Sequence, residues 1–335
     1  CISSKRITPA QLALQPCSGS CVITDPNNGN VLALVSYPSY DNNRMSGTID
    51  ADYYKQLNND KSNPLYNWAT QAQNAPGSTY KVCTSIMALD MGIINPSTSF
   101  YCSGTFDKIT PSPRCWVRSG HGTETVTTAI RDSCNLFFYN VGYNLALSNG
   151  LFDNTYATSV MQKYAEELGL ATMSAEKAPS ASNIDAVYSA IGQGNHAYST
   201  LNLARYVTTV ANSGTCYNLT LIDKITDNNG NLIRDNSADV ANVMNISQSI
   251  WDTVHYGMNL VVNTYSALSK VNLNFAAKSG TAQENKKEPD HAMMISYAPY
   301  DNPQIAMAVS IPHGYSGSQA SELTAKVLNL YFGLE

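Results

Sequence analysis

The sequence predicts an α+β fold, with one sheet built from both ends of the chain and helices covering it. Three observations carry this reading. Strand-like segments lie near the start, in "CVITDPNNGNVLALVSYPSYD" (21–41), and near the end, in "NFAAKSGTAQ" (274–283), "AMMISYAPY" (292–300) and "QIAMAVSIP" (304–312). Helix-like runs dominate the part between them, over 78–215. The chain has 335 residues, 43% of them apolar and 13% charged, which is enough for a sizeable core and too apolar for a disordered segment. Strands and helices segregated in this way make an α+β architecture with an inserted helical subdomain.

Residues 1–19 read as a leader or linker, and residues 20–335 as one domain whose sheet draws on 20–40 and 220–335. The chain starts at Cys1 and reads as a fragment of a longer protein. Pro26-Asn27-Asn28-Gly29 is a turn signal between two β-rich runs, so 21–41 is expected to be a hairpin. Residues 41–74 are rich in Asn, Tyr and Ser and read as irregular. A helix is expected after Pro76-Gly77. "VMQKYAEELGL" (160–170) and "STLNLARYVTTVANSG" (199–214) are helix-like, each closing near a glycine. "LIDKITDNNGNLI" (221–233) reads as a second hairpin, and "ASELTAKVLNLYF" (320–332) as a terminal helix.

The net charge of −5 comes with no basic stripe, so nucleic acid is not an expected partner. No segment reaches the ~18 apolar residues of a membrane helix. Eight cysteines are present, and their pairing cannot be read from sequence. Cys17 and Cys21 could form a pair, while Cys83 reads as core.

Ser78 and Lys81 lie three apart, so they share one face of a helix. A helix start offers free amides and a positive dipole end to a serine oxygen that becomes anionic as it attacks. A lysine serves as a base only when neutral, which requires burial or a neighbouring cation. A second such pair, Ser174 and Lys177, lacks the Pro-Gly turn and the apolar run. Two further motifs follow: Ser133-Cys134-Asn135, and Lys278-Ser279-Gly280-Thr281 within an expected strand. The ordered set S-x-x-K, S-x-N, K-[ST]-G is the signature shared by penicillin-binding proteins and serine β-lactamases.

With these motifs, "DPNNGNVLALVSYPSYD", "APGSTYK", "GHG" (120–122), "IGQG" (191–194) and "DHAMMISYAPYDNP" (290–303), the chain resembles the transpeptidase domain of class B penicillin-binding proteins of the elongation type. The likeness spans roughly residues 20 to 333. Leu201 stands where the family usually has proline, and Ser279 where threonine is commoner. The resemblance implies the penicillin-binding transpeptidase fold and D,D-transpeptidation of peptidoglycan stem peptides. Ser78 would attack between two D-alanines, Lys81 would take its proton, and Ser133 would pass it to the leaving amine. Asn135 would bind the substrate amide. Lys278, Ser279 and Thr281 would hold the terminal carboxylate, beside Gly280. The N–H groups of Ser78 and Thr281 would form the oxyanion hole. β-Lactams would acylate Ser78. The parent protein would sit on the extracytoplasmic face of the membrane, anchored by an N-terminal helix, with a glycan polymerase as partner.

Cys102, Cys115, His121 and Cys134 make a Cys₃His set suited to a tetrahedral, structural zinc. Some members of the resembling group bind zinc at this place. The alternatives are a Cys102–Cys115 disulfide, or a His121 that only serves a turn. Asp290-His291 reads as structural, near the rim of the cleft. Two rival functions share the motifs. A β-lactamase would need a deacylating group, and Glu166 and Glu167 read as an ordinary helix face. A β-lactam-sensing receptor domain would be acylated without crosslinking anything.

Overall fold

The computed structural model describes residues 18–170, 186–194, 196–236, 238–282 and 289–334. The chain opens with β1 (Gly19–Thr24), β2 (Val31–Tyr37) and α1 (Ala51–Asn59). A 3₁₀ turn, Gly77–Tyr80, then runs into α2 (Lys81–Asp90). Next come β3 (Ser99–Cys102), β4 (Gly122–Thr125), α3 (Val126–Arg131), α4 (Asn135–Leu147), α5 (Asn154–Glu167), α6 (Ala186–Ser189) and α7 (Thr200–Ala211). Four short strands follow: β5 (Thr215–Tyr217), β6 (Lys224–Thr226), β7 (Leu232–Asp235) and β8 (Val240–Val243). The chain ends with α8 (Gln248–Val262), β9 (Ala276–Ala282), β10 (His291–Ala298), β11 (Ile305–Ile311) and α9 (Gly317–Phe332).

The central sheet has the order β2-β1-β11-β10-β9, antiparallel throughout. Both ends of the chain meet where Val22 of β1 faces Ala308 of β11. Strand β10 is buried along its whole length, which explains why it is apolar apart from His291 and Ser296. Its side chains still alternate. Met293, Ile295 and Tyr297 join the helical core, while Met294 and Ala298 join the layer under α9.

Within the helical core, α2 is buried from Lys81 to Leu89. A helix enclosed on all sides belongs at the centre of a domain. It packs against α4, α5 and α8. Its position carries the lysine of the first motif into the interior.

The structure corrects the sequence reading at four places. First, residues 41–74 contain a helix, α1, in which only Leu57 is buried, so the sequence offers no apolar stripe to detect. Second, the 220–243 region does not join the central sheet. Its strands form two separate ladders, β5 with β8 and β6 with β7. The β6–β7 hairpin is solvent-exposed and tied to the β1–β2 turn, where Asn30 Nδ2 donates to Asp223 at 2.9 Å. Third, α5 starts at Asn154, because Asp153 caps it by accepting from the Tyr156 amide. Fourth, the α-helix after Pro76-Gly77 starts at Lys81, and Ser78 sits in the preceding 3₁₀ turn. The Ser174–Lys177 pair and Cys17 lie outside the described residues.

The nucleophile turn is pressed against β9 through two glycines. Gly77 has φ +50°, and a Cβ there would lie 2.5 Å from the Thr281 carbonyl oxygen. A Cβ on Gly280 would lie 2.9 Å from the Pro76 carbonyl oxygen and 2.8 Å from Thr79 Cγ2. Gly280→Ala is therefore expected to push the turn off the strand at a cost of about 1–3 kcal/mol. Thermal unfolding would read this as a lower Tm. A Tm equal to that of the parent would show that the contact yields freely.

Candidate active site

The first motif is placed by backbone. The Lys81 N–H donates to the carbonyls of Ser78 and Thr79, and the Thr79 hydroxyl donates to the Pro76 carbonyl at 2.8 Å. Gly77 N–H donates to the Gly192 carbonyl at 3.1 Å, which fixes the turn from the "IGQG" side. Ser78 is half-buried, and among the described residues its hydroxyl makes no hydrogen bond. Lys81 is fully buried, and its Nζ donates to the Ser133 carbonyl (2.7 Å), the Ser133 hydroxyl (3.2 Å) and Asn135 Oδ1 (2.6 Å). Burial lowers its pKa to about 7.

The second motif links α3 to α4. The Cys134 N–H donates to the Ala129 carbonyl at 3.0 Å, and Cys134 is the N-cap residue of α4. Ser133 between the helices has φ +51°, a left-handed conformation that serine rarely adopts. Such strain persists where the surroundings dictate it. Here it turns the Ser133 hydroxyl toward Lys278, whose Nζ lies 3.1 Å away. One hydroxyl is thus held by two buried lysines. Lys278 is pushed well below the ordinary lysine pKa, by burial first and by Lys81 second.

The third motif lies on β9, the edge strand of the sheet. Lys278 faces the helical core, opposite Ile295 in register, while Ser279 lies on the α9 side beside Gly317. The Thr281 carbonyl meets the Gly77 turn. In a strand, the N–H and C=O of one residue leave on the same side. The Thr281 amide therefore faces the cleft as well.

These elements enclose a cavity of about 420 Å³ lined by Ser78, Ser133, Asn135, Ser279 and Thr281. Its other walls were not legible in sequence. Trp116 and Tyr265 flank it, and Ser316, Gly317 and Ser318 close it from the start of α9. The one usable signal was the serine that caps α9, Ser316. No carboxylate lines this cavity among the described residues. Glu166 and Glu167 sit on α5, engaged with Gln162 and Lys163. A larger cavity of about 630 Å³ lies against the β6–β7 hairpin and touches none of the motifs. His291 is buried at the start of β10 and lies outside the walls of this cavity; it accepts from the His313 N–H at 3.3 Å.

Behind the second motif, the ligand atoms of Cys102, Cys115, His121 and Cys134 all lie within 4.8 Å of one another. The three cysteines are free thiols, which removes the Cys102–Cys115 disulfide. His121 Nδ1 lies 3.6 Å from Cys102 Sγ and 3.5 Å from Cys115 Sγ. The Cys115 thiol is held well below its ordinary pKa, chiefly by the Cys134 thiol and also by the N–H groups of Leu136, Asn135 and Val117. Cys134 is pushed up by the same contact and by burial.

Three motifs far apart in the chain thus converge on one cavity. Residues 19–329 match the family model described as the penicillin binding protein transpeptidase domain, and the chain belongs to that family. It is 31% identical to the peptidoglycan D,D-transpeptidase MrdA of Haemophilus influenzae, over 93% of this chain and 52% of that protein. It superimposes on Pseudomonas aeruginosa PBP2, solved in complex with WCK 5153, with a TM-score of 0.82 and 27% identity, over 96% of this chain and 75% of that one. A structure described as a peptidoglycan synthase complex coordinating polymerization and crosslinking is 26% identical, with a TM-score of 0.80, over 95% of this chain and 56% of that one. The chain thus spans about half the length of the MrdA relative.

The depressed Lys81 pKa sets a pH dependence. A base works in its neutral form, and a pKa of about 7 makes that form grow from about a tenth at pH 6 to about nine tenths at pH 8. The acylation rate of Ser78 by a penicillin should rise through this window and level off above it. A flat profile from pH 5.5 to 8.5, measured by stopped-flow, would exclude Lys81 as the base.

Proposed function

We propose that this chain is a D,D-transpeptidase that crosslinks peptidoglycan stem peptides through an acyl-enzyme on Ser78 and is covalently captured by β-lactams. The observation that carries the reading is the Ser133 hydroxyl, held between the amines of Lys81 and Lys278 at 3.2 and 3.1 Å in the same cavity as Ser78. Two buried ammonium groups so close repel, so they do not both stay charged. A substrate carboxylate arriving at Ser279 and Thr281 would favour charge on Lys278 and leave Lys81 neutral. Ser78 Oγ would then attack the carbonyl between the terminal D-alanines, with its proton passing to Lys81. The N–H groups of Ser78 and Thr281 would hold the oxyanion, each such donor being worth ~3 kcal/mol. Through Ser133 the proton reaches the departing D-alanine amine, and an ester on Ser78 remains. An amine from a second peptide completes the crosslink.

The reading includes a structural zinc held by Cys102, Cys115, His121 and Cys134. The donor geometry fits it. Zn–S of about 2.3 Å and Zn–N of about 2.1 Å at a tetrahedral angle separate N from S by about 3.6 Å, close to the distances His121 Nδ1 makes here. Four protein ligands leave no open position, so the metal would pin the loop carrying Ser133 and Asn135 without entering the chemistry. The reading also places the parent protein on the extracytoplasmic face of the membrane beside a glycan polymerase. Its likeness to a peptidoglycan synthase complex that coordinates polymerization and crosslinking supports the polymerase partner. Among the described residues no helix is long and apolar enough to cross a membrane.

Two measurements test these readings. Intact mass after penicillin treatment should rise by one penicillin on the parent and stay unchanged on Ser78→Ala. A gain that survives the substitution, or rapid turnover of nitrocefin, would sink the assignment. Metal analysis should find one zinc per chain, and a chelator should lower the Tm by about 5 °C or more. Metal-free protein with an unaltered Tm would remove the zinc.

A further inference from the structure

His121 faces the cysteine cluster with one ring nitrogen only. Its Nδ1 lies 3.6 and 3.5 Å from Cys102 Sγ and Cys115 Sγ. Its Nε2, across the ring, is buried and has no hydrogen-bond partner among the described residues. Glu124 lies three residues further on, in β4, and is only 2% exposed. Its Oε2 is likewise buried without a partner. A native fold rarely leaves a buried donor and a buried acceptor unpaired.

The two unpaired atoms belong to one neighbourhood. Gly120 and Gly122, on either side of His121, have φ of +84° and +80°, so the alternation of β4 does not extend back to the histidine. Burial, first of all, raises the Glu124 pKa; the Thr128 hydroxyl opposes this, Asp132 adds to it and His121 opposes it. The ring and the carboxyl thus sense each other's charge. Asp132 is the other carboxylate nearby, and it is already engaged. Arg131 Nε and Nη2 donate to its Oδ1 and Oδ2 at 2.7 and 2.6 Å. The Trp116 ring packs edge-on against His121, with centroids 5.3 Å apart, and its indole N–H donates to the Asp132 carbonyl at 3.1 Å. Glu124 Oε2 is the acceptor left over.

We propose that Glu124 is a positioning residue for metal binding: its Oε2 accepts the Nε2 hydrogen of His121 and so presents the Nδ1 lone pair to the ion. A histidine that coordinates through one nitrogen carries its proton on the other. A fixed acceptor there selects that tautomer, sets the ring orientation and makes the ligating nitrogen more basic. It also gives a reason for enclosing a carboxyl group at this point of β4. Glu124 is not among the residues lining the Ser78 cavity, so it acts on the cleft only through the cluster. The proposal rests on the zinc reading above.

The test measures zinc affinity at fixed pH by competition with a chromophoric chelator. Glu124→Leu keeps the bulk and removes the acceptor, and should bind zinc about 10–100-fold more weakly than the unsubstituted chain. Glu124→Gln keeps a carbonyl acceptor and should recover at least part of the loss. Cobalt(II) in place of zinc reports the ligand geometry. Its visible absorption bands should shift in Glu124→Leu and return toward the original positions in Glu124→Gln. The Tm of the zinc-free protein separates this from a merely structural role. It should be no lower in Glu124→Leu, because an unpartnered buried oxygen has been removed. Unchanged affinity in Glu124→Leu, or equal losses in the two variants, overturns the role. A Glu124→Leu protein that is destabilised or unfolded without zinc overturns it too. An unsubstituted chain that takes up no zinc instead overturns the zinc reading, and the proposal falls with it.

Discussion

The site depends on the enclosure of two lysine amines around one serine hydroxyl. Lys81 and Lys278 are both fully buried, and both reach Ser133. In water each amine would stay charged near neutral pH. Without solvent, and close to each other, they cannot both do so. The fold supplies that enclosure. Helix α2 runs through the middle of the helical core, and β9 forms the edge of a sheet covered on both faces.

Ser133 lies where three supports meet. Its positive φ is imposed by α3 ending and α4 starting within a few residues. Its hydroxyl and carbonyl are tied to the lysines, and its neighbour Cys134 points the other way, into the Cys₃His cluster. The chain there alternates, with Ser133 and Asn135 toward the cleft and Cys134 toward the cluster. A zinc on that cluster would hold the strained residue from behind while substrate contacts it in front. The same short segment also leads back through Asp132 to Arg131, so the cleft and the cluster share one piece of backbone.

Much of the site was legible in the chain. Ser78, Lys81, Ser133, Asn135 and Lys278 stood out because their three motifs occur in the order of a known signature, each alone being weak. The four metal-ligand types were visible, though spacing alone left a disulfide open. The buried strands and the terminal helix were legible because a two-sided core demands continuous apolar runs. Helix α1 and the walls made by Trp116, Tyr265, Gly317 and Ser318 left no comparable mark. Nothing in local composition distinguishes an aromatic on a cleft wall from one on any other surface.

The sequence by itself determined which groups can react and in which order they occur along the chain. It also determined the alternation that makes a two-faced sheet. Only the tertiary structure decided that Lys81 is dry, that Ser133 sits between two amines, and that an ion pair waits beside it. The first two properties belong to distances between residues 52 to 145 positions apart in the chain. They arise from the packing of α2, β9 and the α3–α4 junction against one another, and no local pattern of residues encodes a dielectric or an angle of approach.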